Sequence, residues 1–256
     1  MSAKGKSPKG TEEKRTAGKR MNGDGKGSNR TNPSANRKDI TGAVPPPGHA
    51  DRLKPGDRIV VTIKTIGING EGVGYFRRKA VFVPGALPGE VVKAVVERAE
   101  RNYVVARLAE IEKRSPHRQQ PPCPVYEACG GCQLQHMTYG AQLQAKEELV
   151  REAFARYAGI NDLPLRPILG MDNPWGYRNK AQLQVGPGRG GAGEPIVGLY
   201  SPGSRRLVDL SGCPIHHPKL DEVAAKVRRI AGRVGTTASD ERSGRGVLRT
   251  VVIRTG

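Results

Sequence analysis

Three of the four cysteines fall within one short run, Cys123-Pro-Val-Tyr-Glu-Ala-Cys129-Gly-Gly-Cys132-Gln-Leu-Gln-His136, and the fourth, Cys213, again precedes a proline. Such a cluster in an otherwise cysteine-poor chain builds a site, and three chemistries fit it. Cys129 and Cys132 have the spacing of a redox pair, but no βαβ pattern of the thioredoxin type surrounds them. No signal peptide precedes them, which points to a reducing compartment. Structural zinc pairs two short hooks, and Cys213 has no neighbouring cysteine to make the second. An iron–sulfur cluster takes three local thiolates and one distant one, with proline after a ligand. Spacing favours the cluster and leaves zinc and disulfides open. Gly130 and Gly131 are expected to let the backbone turn so that Cys129 and Cys132 face one core.

Around this hook the chain divides into four stretches. Residues 1–50 lack aromatic residues, are rich in Lys, Gly, Ser, Asn and Pro, and read as a disordered basic tail closed by Pro45-Pro46-Pro47-Gly48. Residues 51–115 read as a small barrel of short strands: Ile59, Val61 and Ile63 alternate with Val60, Thr62 and Lys64, and strands follow at 80–84, from 89, and at 103–111. Residues 116–160 hold the hook and a helix, expected over Ala141–Tyr157 and ended by Gly159, with Leu143, Val150, Phe154 and Tyr157 as its core face. Residues 161–256 read as an α+β domain: an antiparallel meander (181–185, 196–200, 206–210) that returns Cys213 to the hook, a helix over Pro218–Val234 and a strand over Val247–Arg254. The fold class expected is therefore mainly β with α+β. Gly186-Pro-Gly-Arg-Gly-Gly191 matches GxGxxG, but a strand follows it instead of a helix, so it reads as a hairpin loop.

Charge indicates the partner. The formal net charge is +19, and residues 1–50 hold 11 Lys and Arg against 4 Asp and Glu, so +12 lies in the rest of the chain. A folded part that basic points to a polyanion, most simply nucleic acid. Small barrels bind single strands on a basic, partly aromatic face, and Arg77, Arg78, Lys79, Arg98, Arg101 and Arg107 are candidates, each more ordinary singly as a solvated charge. No apolar run approaches a membrane span, which points to a cytoplasmic protein.

The run CPxxxxCGGCxxQH with a later CP resembles the RNA uracil-5-methyltransferases that carry a 4Fe–4S cluster, and the likeness extends from about Pro55 to Gly256. Phe82-Val-Pro-Gly-Ala-Leu-Pro-Gly-Glu90 is similar to the most characteristic run of the TRAM barrel that opens many members. The resemblance implies that Cys123, Cys129, Cys132 and Cys213 hold the 4Fe–4S cluster. Asn173-Pro-Trp-Gly-Tyr-Arg-Asn-Lys180 looks like the family's PxxYRxK run, which implies that Arg178 and Lys180 meet RNA, with Arg178 near the target nucleotide. Without the resemblance, Trp175 and Tyr177 would read as core.

In that family a Rossmann-like domain binding S-adenosylmethionine, a nucleophilic cysteine and a general base normally follow. The resemblance implies that this chain is the N-terminal, RNA-recognition part alone, its central domain incomplete at the C-terminus. No catalytic or S-adenosylmethionine-binding residue is then expected in it, and the chain by itself is expected to be an inactive monomer. Ribosomal-type members commonly carry both barrel and cluster, so 23S ribosomal RNA is the expected substrate, with tRNA the runner-up. The competing expectations are a stand-alone iron–sulfur RNA-binding protein and a zinc-stabilised ribosome-associated protein.

Overall fold

A computed structural model describes residues 53–188, 194–240 and 243–256. The expectations for residues 1–50, and for the middle of the 186–191 loop, lie outside these. Among the described residues no helix is long and apolar enough to cross a membrane.

Five strands come first: β1 (Arg58–Ile66), β2 (Gly72–Phe76), β3 (Lys79–Val83), β4 (Val91–Ala99) and β5 (Tyr103–Lys113). They close into a barrel in the order β1-β2-β3-β5-β4, with β3 and β5 parallel and the other pairs antiparallel. Closure removes every free edge. The period-two pattern selects the interior: Ile59, Val61 and Ile63 are buried with Val81, Val92 and Val104, whereas Val60 is 51% exposed.

The proline-rich stretch 114–122 is tied to the barrel. Glu90, with no exposed surface, lies at the barrel's rim. Its carboxylate accepts from Arg118 Nε (2.6 Å) and Nη2 (2.8 Å), from Leu87 N–H (2.9 Å) and from Ser115 N–H (3.2 Å). Arg118 also donates to Gly85 O at 2.6 Å. Burial alone pushes the Glu90 carboxyl up, but the hydrogen bonds from Arg118, Leu87 and Ser115, with the guanidinium charge, hold it below the usual range. A buried carboxylate thus bolts the segment leading into the hook onto the barrel.

The helix after the hook, α1 (Tyr139–Ala153), ends in one π-helical turn, Phe154–Ala158, and Gly159 closes it in the left-handed conformation (φ 69°). Its expected core face is wrong. Val150, Phe154 and Tyr157 are 42%, 42% and 83% exposed, and the face that packs is Ala141 and Ala145 against Ile66, Leu87 and Met137. Small residues let the start of the helix sit close on the barrel, so its later turns project beyond the surface that could cover them.

The second sheet is antiparallel in the order β8-β7-β6-β9, with β6 (Lys180–Gly186), β7 (Ile196–Tyr200), β8 (Leu207–Asp209) and β9 (Thr250–Arg254). Gly198 sits where a Cβ would lie 1.8 Å from Val208 O, so only glycine allows this pairing. The helix α2 (Pro218–Arg233) buries Leu220 and Ala224 against the sheet, together with Val125 and Cys129 of the hook. Arg228 fastens it by donating to Asp209, Val197 O and Leu210 O. β9 is shorter than expected because 247–249 form only an isolated bridge, Ala238 to Leu248.

Candidate cluster site and nucleic-acid interface

Cys123, Cys129, Cys132 and Cys213 line one small, largely apolar cavity of about 20 Å³, walled by Leu199, Leu210 and Ile215. All four are free thiols, so the disulfide alternative does not describe this arrangement. Turns place the three local ones: Tyr126 N–H donates to Cys123 O and Cys129 N–H to Val125 O. Neither Gly130 nor Gly131 has a positive φ, which corrects the expected reason for them. The reason is space. Gly130 N–H donates to Tyr200 O at 3.1 Å, and a Cβ on Gly130 would lie 2.9 Å from that same oxygen. The glycine pair lets the hook seat on the end of β7.

Cys213 arrives from the other side. Its N–H donates to Asp221 Oδ2 at 3.0 Å, and Asp221 Oδ1 lies 2.8 Å from His216 Nδ1. An acid in the first turn of α2 thus orients the distant cysteine, a role that no local pattern signalled. Burial pushes the Cys129 and Cys213 thiols up, the neighbouring N–H groups opposing it. A cofactor loading here must therefore displace protons from half-buried thiols. The donor set fits a polynuclear thiolate-bound core: four sulfurs, an apolar wall, and an N–H from Gly131 directed at Cys129 Sγ at 3.4 Å. Among the described residues no three His, Cys, Asp or Glu are grouped closely enough to hold a metal ion.

Behind the hook, Tyr126 Oη lies 2.6 Å from His136 Nδ1. Burial raises the Tyr126 phenol to about 12 and lowers His136 to about 4, the latter helped by the nearby Arg118 charge. Both are neutral at ordinary pH, and His136 Nε2 is buried without a partner among the described residues.

The basic candidates fall into three groups. Arg77 and Arg78 form the β2–β3 turn, and Lys79, the first residue of β3, reaches Glu100 O with its Nζ (3.0 Å) in the β4–β5 turn beside Arg101. Arg77 (φ 46°) and Arg78 (φ 66°) both hold left-handed backbone, where hairpins favour Asn-Gly. Arg77 lies over the Phe76 ring at 5.4 Å, and Phe82 and Tyr103 pack edge to face nearby on β3 and β5. One end of the barrel therefore gathers Arg77, Arg78, Lys79 and Arg101 beside aromatic rings. Arg98 and Arg107 instead sit in exposed ion pairs with Glu100 and Glu97.

Arg178 and Lys180 lie elsewhere. Gly176 N–H donates to Pro214 O, Arg178 N–H to Ile215 O, and His217 N–H to Arg178 O. The run before β6 is thus laced to the run after Cys213, and Arg178 borders the cysteine cavity. Lys180 opens β6, opposite Arg254 of β9, and is exposed.

A closed barrel with a basic, aromatic-flanked rim is thus joined to a four-thiol cavity on an antiparallel sheet. Residues 52–109, which hold most of the barrel, match the TRAM domain. Over 209 residues the chain is 47% identical to an uncharacterized RNA methyltransferase of Bacillus cereus, covering 81% of this chain and 45% of that protein. It is 46% identical over 206 residues to another from Halalkalibacterium halodurans, covering 80% and 44%. The chain thus spans less than half the length of these relatives, and it is homologous to that part of proteins named RNA methyltransferases. The crystal structure of Pyrococcus abyssi tRNA (uracil-54, C5)-methyltransferase with S-adenosyl-L-homocysteine has the same fold over 77% of this chain and 42% of its own, at TM-score 0.53 and 24% identity.

Proposed function

We propose that these residues are the RNA-recognition part of a cytoplasmic, S-adenosylmethionine-dependent RNA uracil-C5 methyltransferase acting on ribosomal RNA. In this reading Cys123, Cys129, Cys132 and Cys213 hold a 4Fe–4S cluster, and Arg77, Arg78, Lys79, Arg101, Arg178 and Lys180 contact RNA. The observation that carries it is the convergence of four thiols from two distant segments on one apolar cavity, in a chain homologous to proteins named RNA methyltransferases. The cluster would supply the ties that hold hook and sheet together. In this reading S-adenosylmethionine and the reacting groups lie outside these residues. Ribosomal RNA is preferred to tRNA on the joint presence of the TRAM domain and the four cysteines. The likeness to the Pyrococcus abyssi tRNA enzyme concerns fold and does not shift that preference.

The test uses the protein encoded by the whole gene, purified without oxygen. Incubation with labelled S-adenosylmethionine and either ribosomal RNA or tRNA should place the methyl group on C5 of a uracil in ribosomal RNA. Transfer to tRNA alone would replace the substrate, and transfer to adenine or cytosine would end the reading. Iron and labile sulfide should be present in equal amounts, and one zinc with no sulfide would remove the cluster. A stop codon directly after codon 256, with RNA binding but no methylation, would favour the stand-alone binder.

A further inference from the structure

The hook has two limbs that meet at Gly130-Gly131, one running from Cys123 to Cys129 and the other from Cys132 to His136. The first limb folds on itself through short turns, Tyr126 N–H to Cys123 O and Cys129 N–H to Val125 O, which leave the second limb untouched. Gln135 and Tyr126 carry side-chain bonds across from one limb to the other. Gln135 Oε1 accepts from Cys123 N–H at 3.3 Å. Tyr126 Oη lies 2.8 Å from Gln133 O and 2.6 Å from His136 Nδ1. A phenol has one proton and a carbonyl oxygen can only accept, so Tyr126 donates to Gln133 O and the His136 ring donates to Oη.

The place of this clasp sets it apart from an ordinary fastening. Tyr126 stands three positions from Cys123 and three from Cys129, and Gln133, which it holds, directly follows Cys132. Its ring lines the thiol cavity together with all four cysteines. His136 is itself held. It is 4% exposed, and its backbone oxygen accepts at 2.9 Å from the N–H of Gln119, next to the Arg118 that grips Glu90. A line of bonds from the barrel rim thus passes through His136 and ends on the phenol between the cysteines.

We propose that Tyr126, seated by His136, is a positioning residue of the thiol site, its hydroxyl holding Cys123 and Cys129 against Cys132 before any cofactor binds. An irregular loop with three thiols gives up its freedom when one group bridges them, and a loop already clasped has less to give up. Neither side chain supplies a ligand atom. The proposal rests on the four-thiol site read above and not on the identity of the group that fills it.

The test uses the protein encoded by the whole gene, purified without oxygen, and its Tyr126→Phe, His136→Leu and His136→Asn variants. Tyr126→Phe keeps the ring and removes only the hydroxyl. Iron release to a chelator, followed by the loss of visible absorption, should be about tenfold faster in Tyr126→Phe and in His136→Leu, as for partners that orient ligands without binding the metal. Asn carries an amide where the ring has Nδ1, so His136→Asn should restore most of the wild-type rate. Tyr126→Phe combined with His136→Leu should be no faster than either alone, because both remove the same tie. In metal-free protein, phenylarsine oxide, which bridges neighbouring thiols, should bind Tyr126→Phe about tenfold more weakly than wild type. Wild-type iron release and arsenical affinity in Tyr126→Phe would overturn the proposal, as would equal rates in His136→Asn and His136→Leu. A wild-type protein without iron or sulfide, in which the arsenical still discriminates, would overturn the cluster reading and support the clasp.

Discussion

Arg118→Met tests whether the Glu90 ion pair, rather than the length of the linker, fixes the hook to the barrel. The substitution keeps most of the side chain's apolar stem and removes the guanidinium. It strips three hydrogen bonds, two of them to a carboxylate with no exposed surface, leaving Glu90 with two backbone N–H donors and no counter-charge. Removing one partner of a buried pair costs ~3–5 kcal/mol. That is a large share of the ~5–15 kcal/mol typical of a folded domain. Urea unfolding at pH 7, followed by far-UV circular dichroism and Trp175 emission, should show a midpoint lowered accordingly with an unchanged slope. Glu90→Gln keeps an acceptor and should cost less, ~1–3 kcal/mol. The pH dependence has a definite sign. The folded carboxyl is held below its unfolded value, so the unfolded chain binds the extra proton first. The stabilisation is complete above about pH 5 and is lost as pH falls through the folded value, so the gap between wild type and Glu90→Gln should shrink toward pH 3. An Arg118→Met protein within ~1 kcal/mol of wild type at pH 7, or a gap constant from pH 7 to 3, would refute the reasoning.

Cys213→Ser should lose iron, sulfide and folded protein together, because that thiol ties a distant segment to the hook. A soluble variant with normal RNA binding would show that the tie is dispensable. Gly130→Ala should lower iron content and cost ~1–3 kcal/mol, since its Cβ would press on Tyr200 O, a backbone atom that cannot swing away. Replacing Arg77 and Arg78 with Asn and Gly should relieve left-handed strain and raise stability by ~1 kcal/mol, while weakening RNA binding and lowering its salt slope by about 2. Filter binding at several salt concentrations measures the second effect, and an unchanged slope would remove the turn from the interface.

The sequence determined what local chemistry determines. Alternating Ile59, Val61 and Ile63 specified a strand with one buried face, Gly159 stopped a helix, and the absence of a helix after Gly191 disqualified a nucleotide loop. The four cysteines stood out because cysteine is otherwise missing from the chain, and the +12 beyond residue 50 pointed to a polyanion. The tertiary structure alone decided which faces meet. α1 turns Ala141 and Ala145, not Phe154, toward the barrel, because close approach rewards small residues and helical periodicity does not say which stripe has a partner. The Glu90–Arg118 pair and the Asp221 clamp on Cys213 and His216 join residues between 5 and 28 positions apart, with no repeating spacing to betray them. A sequence records periodicity and composition directly. It records a contact between two segments only once the chain between them has been folded, and the placement of the thiols depends on such contacts.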